Sequence, residues 1–244
     1  MTAVLDPSIL ARALGYPYPA HPAEYLFRDG RAEPLATDYP LDGLTPVIAV
    51  GSNRAPDQLA RKYAGWDVTI PVTRHRAHDV DVVYAAHMAS YGAIPATLAA
   101  SPGTVVELWI TWLDEAALAR MDATEAVGVN YDRFRVSIAF EHDERPVPAS
   151  VLLYVARRGL LRLDEQPIAL AAIPAEHRRY EPAAMGDLLR RVHARHGGGA
   201  FEDWLAARIG ETGRTARQVL VESLAADAHV APLSLWSVDQ AAER

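Results

Sequence analysis

The sequence predicts a mixed α/β (α+β) fold, a strand-rich centre followed by a helical C-terminal extension. Three observations predict it. Between Thr45 and Ala156, short apolar or alternating runs recur with turn-forming residues between them, the pattern of strands. Two amphipathic segments, one with Pro56 near its start and one opened by Asp114, interrupt those runs as helices. Beyond Pro182 the apolar residues recur at helical spacing instead.

In chain order, Pro7, Pro17, Pro19, Pro22, Pro34 and Pro40 break residues 1–45 into a Pro-rich arm. It has room for one short helix, with Asp6 as cap and Pro7 in the first position, and then extended coil. A second unit spans residues 46–160. Its strands read VIAVGSN, WDVTIPVTRH, VDVVYAAHM, IPATLAA, TVVELWITWL, DRFRVSIAF and SVLLYVA, with Pro102-Gly103 as a turn-forming pair. Its helices read RAPDQLARKYA and DEAALARMDATE, the latter with acidic residues in its first turn, where they suit the helix dipole. In that second helix Ala117, Leu118 and Met121 share the face expected to meet the sheet. Residues 161–244 form the C-terminal extension, with helices in AAMGDLLRRVHARH, FEDWLAARIG and TARQVLVESLAADA and a stop at Gly197 to Gly199. This extension either packs on the strand-rich core or mediates assembly, for example as a homodimer.

Composition narrows the chemistry. The chain has 244 residues, 50% hydrophobic and 23% charged, which is the profile of a folded globular protein. It contains no cysteine, so disulfides, thiolate nucleophiles and Cys-based zinc or iron-sulfur sites are excluded. A net charge of −7 argues against a nucleic-acid partner, whose phosphates call for clustered Lys and Arg. The first residues carry no basic segment leading into an apolar one, and no apolar run approaches the ~20 residues of a spanning helix. The expectation is a cytoplasmic protein that handles a small-molecule substrate, with no membrane partner.

Two segments are candidates for that handling. Val47 to Val50 run as an apolar strand into Gly51-Ser52-Asn53 and then a helix. Glycine permits a tight turn, Ser or Asn can cap the helix, and free N–H groups at such a turn attract an anion. On its own this is equally a simple helix cap, and it lacks the glycine spacing of nucleotide-binding loops. Glu125 ends the helix 114–125, just before Ala126, Val127 and a turn at Gly128. Partial burial there raises a carboxylate's pKa and suits it to proton transfer, whereas a solvated helix end leaves it inert.

Taken together, the order GSN after the first strand, PATLAASPGTVVELWITWL, LARMDATEAVGVNYDRFRV and a strand carrying Tyr154 resembles the gamma-glutamylcyclotransferase-like family. The resemblance covers residues 46–156, and the Glu125 segment is its most specific part. It implies a mixed β-barrel with flanking helices and a pocket between the GSN loop and Glu125. It also implies a reaction in which the α-amine of a γ-glutamyl group attacks its own γ-carbonyl, forming 5-oxoproline and releasing an amine. Glu125 matches the family's catalytic glutamate, the general acid/base. Gly51, Ser52 and Asn53 match its substrate-anchoring loop, and Val50 stands where the family carries an aromatic residue. Ala126 stands where the family commonly has glycine. No metal or organic cofactor is implied.

Tyr131 either closes such a pocket or packs on the sheet, and Tyr154 either packs in the core or turns its hydroxyl to the pocket. Arg133 alternates with Arg135 along a strand and is a candidate for a substrate carboxylate, or else a solvated strand charge. His75, His78, Asp79, Asp81 and His87 invite a metal-site reading, but in a strand His75 and His78 point to opposite faces while His75, Asp79 and Asp81 share one, and a polar strand face or a substrate-contacting strand is the alternative. His193 and His196 suit the end of a basic helix. Ser52 lacks the GxSxG elbow of a hydrolase nucleophile. The rival to an enzyme is a non-catalytic binding or assembly module on the same fold, and the surroundings of Glu125 distinguish the two.

Overall fold

The computed structural model describes residues 7–229 and 237–238. The chain opens with helix α1 (Pro7–Leu14) and a hairpin, β1 (Tyr25–Arg28) and β2 (Arg31–Pro34). Strand β3 (Thr45–Ala49) leads through one 3-10 turn, Ser52–Arg54, into α2 (Pro56–Lys62). Two long strands follow, β4 (Thr69–Tyr84) and β5 (Ala96–Leu113), then α3 (Glu115–Glu125). After them come β6 (Tyr131–Ser137), β7 (Phe140–Glu141) and β8 (Val151–Ala156). Five two-residue strands precede the helical tail: β9 (Arg162–Leu163), β10 (Gln166–Pro167), β11 (Ala169–Leu170), β12 (Ala175–Glu176) and β13 (Pro182–Ala183). The tail comprises α4 (Met185–His196), α5 (Phe201–Ala206), α6 (Arg214–Ala226) and a final short strand, β14 (Ser237–Val238). The expected cap Asp6 lies outside the described residues.

The main sheet runs β13-β11-β4-β5-β3-β8-β6-β14, with β3 antiparallel to β5 and parallel to β8. Its ends do not meet. The outer edge of β6 pairs with Ser237–Val238, while the far edge of β4 is taken by β1, β7 and β11. The expected closed barrel is therefore corrected to an open, mixed sheet. Edges covered by short strands remove the unpaired N–H and C=O groups that closure would otherwise satisfy.

Two expectations about local structure also change. The arm is not extended coil beyond its helix, because Tyr25–Arg28 pairs with Thr69 to Val72 and joins the sheet. Pro102-Gly103 does not separate two strands but lies within β5. There the register shifts between His78 and Val80 while residues 101–104 bulge opposite Asp79. Gly103 at φ +83 and Asp79 at φ +60 absorb the bulge, and the Asp79 carboxylate accepts the Gly103 N–H at 2.7 Å. A proline is tolerated at such a bulge because no ladder bond is asked of it.

Side chains on β5 alternate between two cores, as a strand with both faces covered requires. Val106, Leu108 and Ile110 pack into the larger core with Leu188, Leu189 and Val192 of α4 and with Trp204, Leu220 and Leu224. Trp109 and Leu113 face the other core with Leu59 of α2 and Ala117 and Met121 of α3. Side chains of α4, α5 and α6 thus belong to the same core as β5. Helix α3 begins where the sequence indicates, with the Asp114 carboxylate accepting the Ala117 N–H at 2.7 Å as its N-cap. No helix among the described residues is long and apolar enough to cross a membrane.

Candidate functional site

The end of β3, the start of the β4 to β5 connection, and the C-terminal end of α3 converge on a cavity of about 130 Å³. That volume is close to the ~150 Å³ that holds a benzene-sized molecule. Of the residues expected at a site, Val50, Gly51, Ser52, Asn53, Glu125, Tyr131 and Tyr154 all line it. Arg133 is not among its lining residues. Its guanidinium is paired with the Asp122 carboxylate, which also accepts from the Tyr154 hydroxyl.

The GSN segment does not cap a helix. Helix α2 starts from Ala55 with no side-chain cap, and Pro56 in the first helical position has no N–H to satisfy. Asn53 is thereby free to turn into the cavity, where its Nδ2 donates to Glu125 Oε1 at 2.8 Å. Gly51 is required for a different reason, close approach. A Cβ there would lie 2.0 Å from the Tyr16 hydroxyl.

Glu125 sits at the last position of α3, and its side chain is 16% exposed. Lys62, from the last position of α2, donates to the same Oε1 and forms an ion pair with it. Burial pushes the Glu125 carboxyl up, but the Lys62 charge, the Lys62 hydrogen bond and Asn53 together hold it below its ordinary value. This corrects the expectation that burial would raise it. The group is partly buried yet anchored as a carboxylate.

Four phenols complete the walls. Tyr16 accepts the Ala96 N–H at 2.9 Å, and Tyr131 donates to the Ala96 carbonyl at 3.1 Å, so two rings grip one residue of β5. Tyr154 donates to Asp122 at 2.7 Å, and Tyr91 is a further lining residue. Burial raises the pKa of all four, so they stay protonated hydroxyls. His87 is 5% exposed, packs edge-on to Tyr131, and has a buried Nδ1 with no partner among the described residues.

Sequence reasoning missed Tyr16, Lys62 and Tyr91, and weighed His87 as a metal ligand or as part of a polar or substrate-contacting strand. A signal existed for Lys62. It lies three residues after Leu59, which is fully buried, and so on the inward face of α2. Tyr16 belongs to a segment whose arrival at the cavity nothing local foretells.

The other clusters are committed elsewhere. The His75 ring nitrogen Nε2 lies 2.9 Å from Thr73 Oγ1, Asp81 is paired with Arg178 at 2.9 Å, and Asp79 holds the bulge. Among the described residues no group of three potential ligands gathers to hold a metal ion. His196 Nδ1 lies 3.0 Å from Ser223 Oγ, and His193 packs at a tilt against Trp204. A larger cavity of about 680 Å³ opens near β12, and several of its charges pair with one another. Arg76 meets Glu176 at 3.0 Å, and Glu24 accepts from Arg145 at 2.9 Å and lies 2.7 Å from a His142 ring nitrogen.

Two predictions arise from these details. Ala126, which ends α3, is held at φ +52, in the left-handed region that costs a residue with a Cβ about 1–2 kcal/mol. Ala126→Gly relieves this at a backbone-entropy cost of about 0.5–1 kcal/mol. Its urea midpoint is expected to rise by the equivalent of about 0.5 kcal/mol or more, and an unchanged or lower midpoint contradicts the strain. Second, burial pushes His87 and His75 down from 6.5 to about 4. The unfolded chain then binds more protons than the native one below pH 6.5, so stability is expected to fall as pH drops from about 6.5 toward 4. Urea titrations across that window check this, with His87→Gln expected to flatten the slope; a flat wild-type profile rules it out.

No family model matches the chain, and no curated protein is similar to it. Some solved structures are similar to it, among them the following two. One is an uncharacterized protein, LOC79017, from Homo sapiens, 14% identical over 73% of this chain and 99% of that one, with a TM-score of 0.39. The other is a gamma-glutamyl cyclotransferase, 13% identical over 74% of this chain and 99% of that one, with a TM-score of 0.38.

Proposed function

We propose that the protein is a gamma-glutamylcyclotransferase-like enzyme that cleaves a γ-glutamyl or similar amine-bearing amide, with Glu125 as general acid/base. The observation that carries this reading is the position of Glu125. A carboxylate hydrogen-bonded to Asn53 of the GSN segment borders a small cavity walled by phenols.

The chemistry follows from what the substrate lacks. Its α-ammonium, with a pKa near ~8, is mostly protonated at pH 7 and cannot attack. Glu125 accepts one proton, and the freed amine nitrogen forms a bond to the γ-carbonyl carbon. The bond from that carbon to the leaving nitrogen then breaks. Of the three ammonium protons one stays on the ring nitrogen of 5-oxoproline, and two end on the leaving amine, one of them through Glu125. A carboxylate held below its ordinary pKa takes a proton from an ammonium uphill. Intramolecular attack within a confining cavity offsets that, since oriented neighbours reach effective molarities of about 10⁵ M or more. Gly51, Ser52 and Asn53 position the polar groups, Tyr16 and Tyr131 supply hydroxyl-bearing walls, and Val50 gives an apolar patch. The reading extends to a cytoplasmic setting, and the steps ask for no cofactor.

Incubating the purified protein with γ-glutamyl amino acids, γ-glutamyl amines and glutathione, and following 5-oxoproline by mass spectrometry, tests it. Product from one panel member, abolished in Glu125→Gln, is expected. No product from any member transfers the assignment to a binding module on this fold.

A further inference from the structure

We propose that Lys62 is a positioning residue for Glu125: with Asn53 it fixes oxygen Oε1 and leaves Oε2 as the oxygen that exchanges protons with a bound molecule. The proposal rests on the acid/base reading of Glu125 and adds to it a residue from a different helix.

Three features support it. First, Lys62 is tied to α3 by backbone and side chain alike. Its carbonyl accepts from Arg120 Nε at 2.8 Å, its side chain is 8% exposed, and its ammonium contacts both Glu125 and Met121, where Sδ lies 3.3 Å away. Met121 and Glu125 are four apart and share one face of α3, so the ammonium lies along that face instead of reaching into solvent. Second, the two oxygens of Glu125 are treated unequally. Oε1 receives both Asn53 and Lys62, while Oε2 receives no hydrogen bond from a described residue. The carboxylate borders the cavity, so Oε2 is the oxygen left for a ligand. Third, no other described lining residue supplies a charge. The remaining titratable groups facing Glu125 are His87, which burial keeps neutral, and the phenols of Tyr16, Tyr91, Tyr131 and Tyr154. Among the described lining residues Lys62 thus supplies the full positive charge that, with the Asn53 hydrogen bond, offsets the cost of burying the anion.

A purely structural ion pair would look similar, so the test reads ionisation. In protein labelled with [¹³C]glutamate at the side-chain carboxyl, the Glu125 resonance is identified by its absence in Glu125→Gln. It is then titrated in the free protein. The wild-type midpoint is expected below the ordinary glutamate value. Lys62→Met is expected to raise it by about one pH unit or more, the effect of removing a neighbouring opposite charge, and Lys62→Arg to leave it within about half a unit. A midpoint unmoved in Lys62→Met overturns the proposal. So does a wild-type midpoint at or above the ordinary value, a result that needs no variant to fold. If 5-oxoproline is formed, the acid limb of kcat/KM is expected to move upward with the carboxyl midpoint in Lys62→Met. Absence of turnover in the wild type counts against the proposed reaction alone, because the carboxyl titration still decides on Lys62.

Discussion

Glu125→Gln is expected to lower kcat for 5-oxoproline formation about 10²- to 10⁴-fold, the usual worth of a positioned acid/base, with a much smaller change in KM. The reason is chemical and not spatial. Glutamine keeps the length and one oxygen for Asn53, but it cannot accept a proton from an ammonium. Because Glu125 is held below its ordinary carboxylate value, it remains a base down to mildly acid pH, and kcat/KM is expected to show no acid limb of its own above about pH 5. The sign for stability follows the same shift. A carboxylate with a depressed folded pKa contributes stability above its unfolded value and loses it as pH falls through the folded one. Glu125→Gln removes that contribution and leaves the Lys62 ammonium, 8% exposed, without its anion. Denaturant unfolding should therefore show the variant destabilised near neutrality, with the difference narrowing in acid. A variant with full turnover sinks the catalytic role, and one with unchanged stability sinks the ion pair's contribution.

Gly51→Ala is expected to cost about 3 kcal/mol, or roughly 6–12 °C in Tm for a chain of this size. The new Cβ would stand 2.0 Å from the Tyr16 hydroxyl and 3.0 Å from its ring carbon Cζ. Tyr16 is 6% exposed, and yielding to the new Cβ moves its hydroxyl off Ala96. Any shift withdraws the oxygen that accepts the Ala96 N–H, and an orphaned buried donor costs about 1–3 kcal/mol. Tyr16→Phe removes the offending oxygen and also orphans that N–H, so it should be destabilising alone. In the double variant the two costs overlap, and a coupling of about 1 kcal/mol or more is expected in a double-mutant cycle. Strict additivity would show that the two residues do not meet. Activity should be lost in Gly51→Ala even where the protein folds, since the cavity wall moves.

Helix α3 and the segment carrying Glu125 were legible because their determinants are neighbours in sequence. Asp114 caps the helix, and Ala117 and Met121 give its buried face. The GSN turn was legible as a turn, but its use was not. Whether Asn53 caps α2 or reaches Glu125 depends on a residue 72 positions away. Strands β4 and β5 read as four separate pieces, since a bulge at Asp79 and Gly103 carries the same residues as a reversal. The choice between them is made by the ladder on either side.

By itself, then, the sequence determined the strand-rich centre and the helical tail, helix α3 with its cap, the absence of thiol chemistry, and the carboxylate at the end of α3. Tertiary structure alone decided that the sheet stays open, that the arm joins it as a hairpin, that Tyr16 walls the cavity, and that Arg133 pairs with Asp122 outside it. It also decided the ionisation of Glu125. Local patterns follow from bonds made within a few residues, whereas a buried carboxylate's charge depends on which cation the packing of α2 against α3 brings beside it, and that cation is Lys62.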